Sequence, residues 1–389
     1  MKNKIHIALL YLKRFLISLL PRDKHLIVYG GAWDLLIDNA KHQFILNNEN
    51  ISIYKHVWLS KKRQNVNYIR QHGFWAEMSN SLRGRFFLLR AGFVIFDDSI
   101  SYFANSLLAV GAIRINIWHG IPVKMLGHSS KDEDYISCNS HDRWHIIRDA
   151  CVMGDYCVCP STNVIRYLSY SFQIPPEKIV IGNYPRNRFF FMSEEERENY
   201  VVKYESDEYY ETYKYIKNLK VRKIVYMPTF RDKNKYYINE AISDWEFLNN
   251  ACMQAGTVLF VKVHRVTPLP ETSEFSNIII LDNDMDVYPM LPLFDMLITD
   301  YSSIMFDFSL LNKKILLYPY DMEQYRMQSR PLYNYYYDLL HELSSVYNFD
   351  DFVNSMSVDF ESIKSFPSNK YVDKPNDFSG VQKLIEKLS

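Results

Sequence analysis

A chain of 389 residues is longer than a single hydrophobic core usually grows, so two domains of similar size are expected. Hydrophobic residues make up 48% and charged residues 23%, which excludes a disordered or fully membrane-embedded chain. Lysine plus arginine and aspartate plus glutamate both number 45, a balance that argues against nucleic acid as a partner.

Residues 1–24 are basic, with Lys2, Lys4, Lys13, Arg14, Arg22 and Lys24 set against Asp23 among many leucines, isoleucines and Phe15. Lys13 and Arg14 break the apolar stretch, which is too short to cross a bilayer and carries no small-residue cleavage site. Two readings stay open: an amphipathic helix lying on an anionic membrane surface, and an ordinary helix packed on the first domain.

Beyond it, short β-rich runs alternate with helical stretches, the pattern of parallel sheets covered by helices on both faces. The first half predicts strands at 25–29, 54–59, 93–97, 113–118, 156–159 and 178–181, with helices at 39–46, 82–90 and 142–152. A charged, tyrosine-rich connector at 192–220 reads as a solvated helix. The second half predicts strands at 223–227, 257–263, 277–281, 296–299 and 314–318. The expected division is therefore a surface helix at 1–24, a Rossmann-like domain at 25–187 and a second at 188–389. Such domains place ligands beyond their strand C-termini, so a shared cleft is expected to hold the chemistry. The five cysteines show no CxxC pair and no matching histidine spacing, so neither a metal site nor a disulfide framework is expected, and a reducing cytoplasm fits.

Four strand ends carry candidate chemistry. Strand 113–118 runs into His119, Gly120 and Pro122, which aims an imidazole at the cleft, with Lys124 as a phosphate contact; the bland alternative is a histidine bonded to its own loop. Strand 223–227 ends in Pro228, Thr229, Phe230, Arg231 and Asp232, where Arg231 either grips a phosphate or forms a surface ion pair with Asp232. Strand 257–263 delivers His264 between Lys262 and Arg265, a setting for an anion. Strand 296–299 leads to Asp300, then Ser302 and Ser303 open a helix whose free backbone N–H groups suit a diphosphate; the plainer alternative is a serine N-cap. No GxGxxG, GxxxxGK[ST] or GxSxG motif occurs, which disfavours a dinucleotide dehydrogenase, a P-loop kinase and an α/β-hydrolase.

INIWHGIPVKMLG, GNYPRNRFF, YMPTFRD, KVHR and ITDYSSIMFDFSLLNKKILLYPYDMEQYR occur in the order and spacing of the CDP-glycerol glycerophosphotransferase family, which the chain resembles over about residues 116–330. In the first hundred residues the best remnant is Asp38-Asn39. The resemblance implies a glycosyltransferase-B-like fold and an enzyme that moves a polyol phosphate from CDP-glycerol, or another CDP-polyol, to a hydroxyl of a lipid-linked or polymeric glycan, releasing CMP. It maps the family's two histidines onto His119 and His264. Donor contacts map onto Thr229, Arg231, Asp300, Ser302, Ser303 and Asp307, with Arg265 where the family usually has proline. No cofactor and no metal are required on this reading, and the enzyme would work on the inner face of the cell membrane. The alternatives are a nucleotide-sugar glycosyltransferase of the same fold and a non-catalytic membrane-peripheral binding protein.

Overall fold

The computed structural model describes residues 2–50, 53–129, 154–231, 233–265, 267–268 and 275–389, with side chains from Ala8 onward. The helix expected at 142–152 lies outside these residues.

The chain folds as two compact units, Met1–His119 with Gly127–Arg188 and Val372–Ser389, and Gly120–Leu126 with Phe189–Tyr371. The first opens on helix α1 (Lys2–Ser18), whose Leu9, Leu12, Phe15 and Leu16 are exposed. Its sheet contains β1 (Asp23–Gly30), β2 (Lys55–Ser60), β3 (Ala76–Met78), β4 (Ala91–Phe96), β5 (Ile113–Asn116), β6 (Tyr156–Cys159) and β7 (Ile179–Ile181) in the order β3-β2-β1-β4-β5-β6-β7. Every pairing is parallel. Helices α2 (Asp38–Asn50), α3 (Arg63–Gln71) and α4 (Leu82–Arg90) connect the early strands.

Buried parallel strands read as continuous apolar runs, and Leu26 to Tyr29 and Phe93 to Phe96 are nearly sealed from solvent. Each fully buried valine, leucine or phenylalanine contributes about 1.5–3 kcal/mol over its exposed state. Strand β3 carries only Ala76, Glu77 and Met78, and the sequence pattern does not reveal it. Near the C-terminus, the helix Gly380–Leu388 packs on β7, where a Cβ on Gly182 would stand only 3.2 Å from the Cα of Gly380.

The second unit holds β8 (Arg222–Met227), β9 (Thr257–Val261), β10 (Ile278–Ile280), β11 (Met296–Thr299) and β12 (Lys314–Leu317), all parallel and ordered β10-β9-β8-β11-β12. Ile224, Leu259, Val261 and Ile298 from these strands pack with Phe352 in one core. The stretch expected to be a solvated connector is two helices, Glu194–Tyr204 and Asp207–Asn218, each with a buried aromatic face that includes Tyr200, Tyr209 and Tyr213. Tyrosine hides well in a charged stretch because its ring is apolar while its tip can still find a partner: the Tyr209 hydroxyl donates to the Asp286 carbonyl at 2.7 Å.

Candidate functional site

Strand order decides what surrounds His119. Because β4 and β5 are neighbours, the turn after β5 passes the end of β4, and His119 Nδ1 lies 3.0 Å from the carbonyl oxygen of Asp97. A carbonyl can only accept, so Nδ1 carries the proton and Nε2 of the neutral ring keeps its lone pair. That is the tautomer a general base needs. The ring is half-buried and lies against Trp118, with centroids 3.9 Å apart.

The turn itself is strained. Trp118 has φ 51°, a left-handed conformation that a bulky residue adopts only when its surroundings impose it. Gly120, at φ 139°, takes a conformation open only to glycine. Asn116 Oδ1 accepts from the Trp118 N–H at 2.8 Å, and Asn39 Nδ2 donates to the Trp118 carbonyl at 2.7 Å. The Asp97 carboxylate, fully buried, accepts from the N–H groups of Ala32 and Ala40 at 2.6 and 3.1 Å. Burial, and then the charge of Asp38, raise its pKa well above the usual carboxylate range, while the two N–H donors pull the other way.

In the second unit, the ends of β8 and β11 are stitched together by Asp300. Its Oδ1 accepts from the N–H groups of Thr229 and Tyr301 at 2.8 and 2.6 Å, and its Oδ2 accepts from Arg231 at 2.9 Å. Arg231 is buried and turns its fork to Asp321, with bonds of 2.7 and 2.9 Å, and donates also to the Thr229 carbonyl. Four of the five Arg231 N–H donors are thus committed to acceptors within the unit, which leaves little of the fork to grip a phosphate, while Asp232 lies outside the described residues. Burial works against the Arg231 charge, but Asp300 and Asp321 outweigh it, and its pKa is raised. Tyr301, which donates to Asp321 at 3.0 Å, closes the cluster. Sequence reasoning misses Asp321, and its position just past the end of β12 is the signal that marks it.

Thr229 is buried, and its Oγ1 has no hydrogen-bond partner among the described residues. An unsatisfied hydroxyl at a strand end calls for an acceptor from outside the fold. A shallow surface recess is lined by Arg231, Asp321 and Asn234. His264 is exposed after β9, its ring 5.0 Å from that of Phe230, so the third motif lies against the second. Arg265 pairs with Asp284 at 3.4 Å.

Ser302 and Ser303 directly precede the helix Ile304–Phe308, which has only five residues; Ser303 makes no side-chain cap bond, and Ser302 Oγ accepts from the Ile304 N–H at a long 3.4 Å. So short a helix sums few peptide dipoles. Asp307 is buried and accepts from the Tyr288 hydroxyl at 2.7 Å, so it supports the turn from within. Lys124 forms an antiparallel bridge with Leu332, and Met125 N–H donates to Pro331 at 2.7 Å; by its contacts this segment, Gly120 included, belongs to the second unit.

Lys262 offers a test of this region by pH. Its Nζ donates to the Asn283 carbonyl at 2.7 Å, and burial lowers its pKa to about 8 despite the opposing pull of Asp282, Asp286 and Asp284. Between pH 8 and 10.5 the unfolded chain still holds this proton and the folded one has released it, so raising pH stabilises the fold across that window. Denaturant unfolding of the wild type is expected to gain on the order of 3 kcal/mol relative to Lys262→Met from pH 8 to 10.5. Parallel pH profiles for the two proteins would contradict the shift.

A family model described as CDP-Glycerol:Poly(glycerophosphate) glycerophosphotransferase matches residues 12–362. A teichoic acid poly(glycerol phosphate) polymerase of Bacillus spizizenii is 26% identical over 344 residues, covering 83% of this chain and 80% of that protein. A teichoic acid glycerol-phosphate primase of Bacillus subtilis is 33% identical over 177 residues, 44% of this chain and 45% of that one. The solved wall teichoic acid polymerase TagF superposes with a TM-score of 0.70 at 20% identity, over 100% of this chain and 95% of that chain, and this likeness establishes the glycosyltransferase-B-like fold. Since the family match runs through the sheets of both units, the chain belongs to the CDP-Glycerol:Poly(glycerophosphate) glycerophosphotransferase family and is a transferase of glycerol phosphate from CDP-glycerol.

Proposed function

We propose that the chain extends a lipid-linked or polymeric teichoic-acid-like acceptor by glycerol phosphate, with His119 as the general base. The acceptor hydroxyl attacks the glycerol-bearing phosphorus of CDP-glycerol. The new O–P bond forms as the bond to CMP breaks, and the hydroxyl proton passes to His119 Nε2. The observation that carries this reading is the hydrogen bond from His119 Nδ1 to the Asp97 carbonyl, which leaves Nε2 as the acceptor.

The donor falls to the second unit in this reading. The unpartnered Thr229 hydroxyl and the hydroxyls of Ser302 and Ser303 are its diphosphate contacts, with His264 and Arg265 stabilising charge as CMP leaves. Arg231, Asp300 and Asp307 act one layer back, holding those strand ends in place. CMP release from purified protein, given CDP-glycerol or CDP-ribitol with lipid-linked acceptors, tests the reading. CDP-glycerol should be consumed at least about tenfold faster, a preference of about 1.4 kcal/mol at the transition state; release from CDP-ribitol alone would overturn the donor assignment.

The same reading places the enzyme on the inner face of the cell membrane. No helix among the described residues is long and apolar enough to cross a membrane. The exposed Leu12, Phe15 and Leu16 of α1, interleaved with Lys13 and Arg14, support a seat in anionic headgroups instead. Leu12→Asp combined with Phe15→Asp is expected to lower flotation with anionic liposomes by about 10²-fold, given the apolar area withdrawn from lipid. Undiminished flotation would remove the helix from the membrane contact.

A further inference from the structure

The geometry points to Asn39 as a positioning residue that sets the tautomer and aim of His119, an inference that rests on His119 being the general base. Asn39 heads α2, is fully buried, and bridges two turns that are remote in sequence. Its Nδ2 donates to the Trp118 carbonyl at 2.7 Å and its Oδ1 accepts from the Arg186 N–H at 3.2 Å. Trp118 directly precedes His119, and its left-handed φ of 51° is what swings the next residue back towards β4.

A bulky residue relaxes out of that conformation unless both sides of its peptide environment are held. Here the N–H is held by Asn116 and the carbonyl by Asn39. Relaxation would carry the imidazole away from the Asp97 carbonyl, and Nδ1–H would lose the acceptor that selects its tautomer. Asp97 ties the same helix to the same turn from the other side, since its carboxylate accepts from Ala40, the residue after Asn39. The N-terminus of α2 is thus the fixed reference for the imidazole, and Asn39 is the link that touches the strained residue itself.

The test uses Asn39→Asp, which keeps the size of the side chain and the acceptor for Arg186 but replaces the N–H donor with an oxygen facing the Trp118 carbonyl, and Asn39→Ala as a second variant. Four readouts are combined: CMP release, donor Kd by calorimetry, ¹⁵N chemical shifts of the His119 ring assigned by comparison with His119→Gln, and the same Asn39 substitutions in a His119→Ala background. Both variants should lower kcat by about 10²-fold, the scale of a misplaced reacting group, with donor Kd unchanged. The His119 ring should move from the Nδ1–H form to a mixture of tautomers. In the His119→Ala background the substitutions should cost less than about twofold, because nothing remains to be positioned. An unchanged tautomer, or an equal loss of kcat in the His119→Ala background, overturns the inference. A shifted tautomer together with near-normal turnover in His119→Ala upholds the positioning role and instead sinks the assignment of the base.

Discussion

His119→Ala is expected to lower kcat for CMP release from CDP-glycerol by about 10²- to 10⁴-fold, the range for loss of a positioned general base. The donor Kd should stay within about twofold, because the substitution removes an interaction formed with the attacking hydroxyl and not with the resting nucleotide. Single-turnover measurement separates the chemical step from product release. The argument stands on the orientation of the ring: its Nδ1 is spent on a backbone carbonyl, its Nε2 is left to accept, and the strained Trp118 before it holds this geometry. Turnover within tenfold of wild type would refute the base assignment.

Arg231→Met is expected to destabilise the second unit by about 3–5 kcal/mol, because it leaves the carboxylates of Asp300 and Asp321 buried without their cation. Asp321→Asn should cost less, about 1–3 kcal/mol, since Asp300 and the Thr229 carbonyl still hold the guanidinium. Hydrogen exchange read on peptides from β8 and β11 reports this unit separately from the other, which avoids treating a two-unit chain as a single cooperative transition. Protection in those strands should fall in Arg231→Met while the strands β1 and β4 keep theirs. Equal protection in wild type and variant would mean that the cluster does not support the donor-side strand ends.

The parallel α/β organisation was legible because it is written locally. Runs such as Leu26 to Tyr29 and Met296 to Thr299 are apolar without alternation, which only strands covered on both faces can afford, and helices fall between them at regular intervals. The positions of His119, His264, Thr229 and Ser302 just after strands followed from the same pattern. Helix α2, expected at 39–46, spans Asp38–Asn50. It buries Asn39, His42, Gln43 and Asn47, so it shows little apolar stripe, and its burial is supported by a polar chain running from Gln43 through Asn47 and the Tyr29 hydroxyl to His56.

Roles at the site divide along the same line. In sequence Arg231 reads equally as a phosphate grip or as a surface pair with Asp232, and nothing near it in the chain announces that its partners are Asp300 and Asp321, 69 and 90 residues away. Asn39 and Trp118 are separated by 79 residues, and Asp97 and His119 by 22. These contacts exist because β1, β4 and β5 lie side by side in one sheet and β8, β11 and β12 in the other. Local propensity and hydrophobic period state that a segment is a strand and which residues end it; they carry no record of which strands become neighbours. The amino-acid order therefore decided the fold class and the strand-end residues, while strand adjacency, reached only when the sheets assemble, decided which of those residues have polar atoms left for a ligand and which are used up holding the others.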